Sequence, residues 1–167
     1  MPRPVEEKKR PVVAGLQALL RAAGFRKHGS TFVRELPGIR HVIALQSSSK
    51  TTSDEVVLTV NLSVIAPDAL HSWEPPTSAS SGHWRARLGQ LSPAPTDRWW
   101  SITDSESAAA AAGEIVALTR ECALPVLDSL ATLNALLETL DRQVARGLTP
   151  TEQAHAAARI RQRCFSS

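Results

Sequence analysis

The residues best suited to chemistry in this chain are polar side chains set two apart on short strands. Thr59, Asn61 and Ser63 alternate with Val56, Leu58, Val60, Leu62 and Val64 across residues 55–65. A strand sends such alternate positions to opposite faces, with same-face neighbours about 7 Å apart. Within residues 40–48, burial of Ile43 and Leu45 directs Gln46 and Ser48 to the face that carries Asn61. Arg34 joins them if its register allows, and Arg87 with one of the adjacent Trp99 and Trp100 borders the patch. An amide, hydroxyls, an arginine and an indole on one surface can bind a polar ligand or a peptide. The competing reading is a solvated sheet face on which Arg87 is paired to a carboxylate such as Asp97. The candidate binding set is therefore Arg34, Gln46, Thr59, Asn61, Arg87, Trp99 and Trp100.

Signals for catalysis are sparse. His28, His41, His71, His83 and His155 show no metal-ligand spacing, so no metal is expected. There is no nucleophile elbow, no phosphate-cradling glycine loop and no paired cysteine motif. Asp104 and Glu106 read as a helix cap and a first-turn charge. Cys122 and Cys164 read as buried thiols rather than as a nucleophile or a disulfide. The expectation is a binding or accessory module without a cofactor, which uses the polar sheet face and the 66–96 loop to hold a protein partner or a small polar ligand. The alternative is a small enzyme at the same place, with Arg34 or Arg87 anchoring an anion and His83 as the acid–base group.

These side chains need a scaffold. Residues 1–10 are expected to be flexible, and Pro11 suits a first helical position. Val12, Leu16, Leu19, Leu20 and Ala23 recur at helical spacing until Gly24 stops the helix. Strands follow at 31–35, 40–48, 55–65 and 98–103, with residues 83–88 a short strand or a turn of helix. Five Pro residues break up 66–96, a length usual for functional or mobile loops. Helical patterns then run from Ser107, are interrupted by Pro125, restart at Thr132 and end at Gly147, and Thr149–Glu152 forms a capping box for a last helix. The fold class is α+β: an N-terminal helix, a four-stranded antiparallel sheet and three C-terminal helical segments packed on one face. Residues 11–147 form one domain, and 148–167 a C-terminal helical extension packed on it.

Composition sets the wider bounds. The 167 residues include 43% hydrophobic and 21% charged residues, with a formal charge of +3. This fits one soluble globular domain, and the charge is too small to suggest nucleic acid. Arg159 and Arg163 share a helix face but have no aromatic stacking platform beside them. No stretch approaches the ~20 apolar residues of a membrane span, and no signal peptide is evident. The expected location is the cytoplasm. The leucine-rich 127–140 stretch and the last helix bury each other or a second subunit, so monomer and homodimer both stay open.

Several short pieces recur together in one order: Gly24-Phe25-Arg26-Lys27, Phe32-Val33-Arg34, Leu45-Gln46-Ser47-Ser48, Leu58-Thr59-Val60-Asn61-Leu62, Arg87-Leu88-Gly89, Asp97-Arg98-Trp99-Trp100 and Leu124-Pro125-Val126-Leu127. In these, residues 14–140 resemble the bacterial domain-of-unknown-function 4304 family. The resemblance implies a small bacterial intracellular domain without an assigned reaction. The helix after Gly147 lies outside the matching part.

Overall fold

The computed structural model describes residues 3–166. Helix α1 spans Pro4–Ala22, with a proline in its first turn and Glu6 and Glu7 close behind. Residues 4–10, expected to be flexible, are thus the opening turns of α1, while residues 1–2 of that expectation lie outside the described residues. Pro11 sits inside the helix rather than at its start. Tertiary contacts hold the early turns: Val5 packs on the core, and Lys8 Nζ donates to the carbonyls of Ser53 and Asp54 at 2.6 and 2.9 Å. Gly24 ends the helix with φ +90°, a conformation that costs glycine little. The Phe25 N–H then returns to the Leu20 carbonyl at 2.9 Å.

Six strands are present among the described residues, not four: β1 Arg26–His28, β2 Thr31–Leu36, β3 Ile39–Ser47, β4 Val56–Ile65, β5 Trp84–Arg87 and β6 Trp100–Ile102. All pair antiparallel in the order β1-β2-β3-β4-β5, and β6 also pairs with β4. The additional strands are β1 and β5. All three residues of β1 are exposed, so no alternation betrays it, and it exists through its pairing with β2. β5 and β6 share one edge of β4, opposite residues 61–64 and 56–58, which leaves Thr59 and Val60 between them.

Among the described residues four α-helices follow α1: α2 Ser105–Leu118, α3 Leu124–Ser129, α4 Leu133–Asp141 and α5 Pro150–Cys164. Instead of a simple kink at Pro125, residues Thr119–Ala123 widen into a π turn and place the proline at the start of α3. The wider turn sits where the proline ring and its missing N–H would interrupt an α-helical ladder. Asp104, Thr132 and Thr149 cap α2, α4 and α5 as their sequence positions suggest. Leu16, Leu20, Ile43, Leu62, Ile115, Leu136 and Ile160 belong to one buried cluster, so the helices share the core face of the sheet. Cys122 and Cys164 are free thiols, half-buried rather than buried. No single described helix is long and apolar enough to cross a membrane.

The opposite face of the sheet is not simply solvated. Val33, Val42 and Ile65 form a second buried cluster on which Leu70 and Ala79 pack. The 66–82 segment therefore folds back over one end of this face. Arg40 Nη1 donates to the Pro76 carbonyl and Arg85 Nη1 to the Ser80 carbonyl, which ties the segment down. Gly82 makes the close approach possible: a Cβ there would lie 2.6 Å from Ser63 Cβ and 2.8 Å from the Trp84 carbonyl oxygen. Backbone cannot yield to such overlap, so Gly82→Ala is expected to cost about 1–3 kcal/mol in urea unfolding. An unchanged midpoint would show that the segment does not seat on Ser63.

Candidate functional site

Strand register sets which side chains meet. Ala44 lies opposite Asn61, and Asn61 opposite Arg87; one step along, Val42 lies opposite Ser63, and Ser63 opposite Arg85. These pairs line the second face. Gln46 is opposite Thr59 and diagonal to Asn61, whose Nδ2 donates to Gln46 Oε1 at 2.6 Å. The expected meeting of Gln46, Asn61 and Arg87 on one face is therefore present.

Thr59 and Ser63 share that face but are fully buried. Thr59 Oγ1 donates to the Arg98 carbonyl at 2.8 Å and bridges the gap between β5 and β6. Ser63 lies under Gly82. Thr59, expected as a ligand contact, is instead a structural tie. Covering segments bury both hydroxyls, which strand alternation alone does not reveal.

Beside Asn61, three side chains interlock. Arg87 Nη1 donates to Asp97 Oδ1 and Oδ2 at 2.8 and 2.7 Å, and its guanidinium lies 5.1 Å from the Trp99 ring centroid. Trp99 Nε1 donates to Asp97 Oδ2 at 3.4 Å. The hydrogen bond from Arg87 holds the Asp97 carboxyl below its ordinary value. The pairing of Arg87 with Asp97 proposed from sequence is thus present, on the rim of a cleft of about 450 Å³ bordered by Asn61, Ala79, Ser80, Arg85, Arg87 and Asp97.

Trp100 and Arg34 do not belong to this cleft. Trp100 is 4% exposed on the core side, and its Nε1 donates to Glu114 Oε2 at 3.0 Å. Trp99 precedes β6, and its ring lies by Arg87 on the second face, away from the buried Trp100. Arg34 lies opposite His41, which lies opposite the core residue Val64, so it points to the helices. Its Nη2 donates to Asp128 Oδ1 at 2.8 Å, its Nη1 to the Ala23 carbonyl at 3.2 Å and its Nε to His41 Nδ1 at 3.2 Å. Phe32 and Val33 are both buried, on opposite faces, so local sequence could not choose the face of Arg34.

Sequence reasoning missed Arg85. Its signal was the alternation Trp84-Arg85-Ala86-Arg87, which buries Trp84 and Ala86 and puts both arginines on the second face. Unlike Arg87, Arg85 has no carboxylate within ion-pair distance among the described residues. His83 borders a separate cleft of about 240 Å³ between the 66–82 segment and α5, which Arg85 also lines. His83 Nδ1 accepts the Ala66 N–H at 3.0 Å, and burial lowers its pKa to about 4. It is therefore neutral at pH 7, with its proton on Nε2. No group of three metal-ligating side chains occurs among the described residues.

Comparison with known proteins adds a family and no activity. The family model described as Domain of unknown function (DUF4304) matches residues 16–129, and the chain belongs to that family. No match was found among curated proteins or among solved structures.

Proposed function

We propose that this DUF4304 member is a non-catalytic binding module that holds a segment of a partner protein across the cleft beside Asn61 and Arg87. The observation carrying this reading is the half-exposed Arg87–Asp97–Trp99 knot at the cleft's rim. Tryptophan and arginine dominate the energetics of protein interfaces, and here both are held in place before any partner arrives. Around the cleft stand the guanidinium groups of Arg85 and Arg87, the carboxylate of Asp97 and the amides of Asn61 and Gln90. Such a set recognises hydrogen-bonding groups but does not shuttle protons.

The unpaired thiols support a reducing compartment, so we take the working location to be the bacterial cytoplasm. A pull-down with the wild-type chain and with Asn61→Ala plus Arg87→Ala tests the proposal. Loss of a specific protein in the double variant is the expected result, and an unchanged set of captured proteins would overturn it. Native mass spectrometry of both forms reads a retained small ligand as the competing outcome, and also the subunit count, for which we propose a homodimer.

The enzyme reading keeps one supporting observation: among the described residues His83 Nε2 has no hydrogen-bond partner, and His83 lines the smaller cleft beside Arg85. Of its proposed anion anchors, Arg34 serves the other face and Arg87 is neutralised by Asp97. Arg85 and Arg159, which both line that cleft and pair with no carboxylate among the described residues, are left for that role.

A further inference from the structure

The smaller cleft contains an unusual concentration of unpaired polar atoms. Ser81 Oγ and Arg85 Nε are buried without a hydrogen-bond partner. His83 is 8% exposed and Ser81 5% exposed, and both line the cleft. With His83 Nδ1 accepting from Ala66, the Nε2–H is the donor left on the His83 ring, a residue that lines the same cleft. Unsatisfied buried polar groups are costly, commonly about 1–3 kcal/mol each, and two in one corner beside the His83 ring call for an acceptor-rich occupant.

At the mouth, His71 and Trp73 stack with ring centroids 5.1 Å apart and planes 5° from parallel. Trp73 is 76% exposed, the most exposed large apolar side chain described. An aromatic pair held open to solvent above a row of donors suits a flat ring bearing an oxyanion. The volume of about 240 Å³ admits a single ring and is below the usual range of about 300–1,000 Å³ for larger ligands. Glu74 and Glu152 also border the cleft, but each accepts a backbone N–H of its own turn, from His71 at 2.7 Å and from Thr149 at 2.6 Å. Glu74 is the nearer competitor, because its charge acts on His83.

We propose that this cleft binds a small aromatic acid, its oxyanion held by Ser81, His83 and Arg85 and its ring covered by Trp73. The site shares Arg85 with the cleft proposed above for a partner, but its probes and readout involve no partner protein. The chemistry is shared by an aryl carboxylate and an aryl phosphate, so benzoate and phenyl phosphate are the probes, with acetate as the ringless control.

Imidazole nitrogen spectra at pH 7 follow the His83 Nε2 signal as each probe is added to the full chain. Saturable movement with one of the two ring probes is the expected result, and the stronger of the two identifies the acid. Arg85→Gln is expected to weaken that binding about tenfold or more through loss of a charge-assisted hydrogen bond. Trp73→Ala, an exposed change that leaves the core untouched, is expected to weaken it about fivefold. Glu74→Gln is expected to strengthen it, because a competing charge is removed. Absence of a saturable response to either ring probe would overturn the proposal, and would leave the unpaired atoms to interior water. Acetate binding as tightly as benzoate, or binding unaffected by Arg85→Gln, would overturn it too.

Discussion

Arg34→Ala is expected to lower the unfolding free energy by about 3 kcal/mol, more than any surface substitution in the chain. Arg34 is 12% exposed at its side chain and joins three elements at once. Its guanidinium meets the Ala23 carbonyl after α1, His41 on β3 and Asp128 in α3, and lies 4.8 Å from the Phe25 ring centroid. Alanine leaves His41 Nδ1 and the Ala23 carbonyl without this donor in a water-poor setting, and the desolvation cost of such groups is what makes the loss large. Lysine cannot reproduce the planar fork and is expected to rescue little. Asp128→Asn removes only the outer partner, whose side chain is 63% exposed, so about 0.5 kcal/mol or less is expected. Urea titrations check all three through the midpoint at constant slope. A shift below about 1 kcal/mol for Arg34→Ala would show that α1, β3 and α3 hold together without it.

Acid is expected to unfold the protein through its two interior histidines. His41 is fully buried, its Nε2–H donating to the Leu130 carbonyl at 2.9 Å, and burial followed by the Arg34 charge lowers its pKa to about 4 against the upward pull of that bond. His83, buried beneath the 66–82 segment, is also lowered to about 4. In the unfolded chain both return to about 6.5, so between 6.5 and 4 the unfolded state binds more protons. Stability is therefore flat above about pH 6.5 and declines as pH falls toward 4, by about 3 kcal/mol for each histidine. Unfolding free energies measured at intervals from pH 7 to 4 are expected to show a slope approaching two protons. His83→Gln should halve that slope while leaving the helix face intact. A flat profile down to pH 4 would mean that neither histidine is held neutral.

The candidate surface was partly legible before the fold was known. Period-two alternation in residues 55–65 placed Asn61 on the face opposite the core, and the same rule placed Gln46 beside it. Alternation assigns a residue to a side but does not say what covers that side. Thr59 and Ser63 read the same as Asn61, yet the returning chain buries both. Arg34 failed for a different reason: both of its apolar neighbours in β2 are buried, and only pairing with His41 shows which side is the core. β1 went unread because a three-residue exposed strand has no pattern of its own.

By itself the sequence determined what depends on near neighbours along the chain. That includes the α+β class, the caps at Asp104, Thr132 and Thr149 and the stop at Gly24, since dihedral preference, capping and strand period are local. Tertiary structure alone decided what depends on distant residues meeting. It drew the 66–82 segment over Ser63, turned Arg34 toward His41 and Asp128, left Arg85 without a carboxylate among the described residues and formed a cleft beside His83. These outcomes follow from register and burial, which come from the packing of the whole chain and which local spacing does not encode.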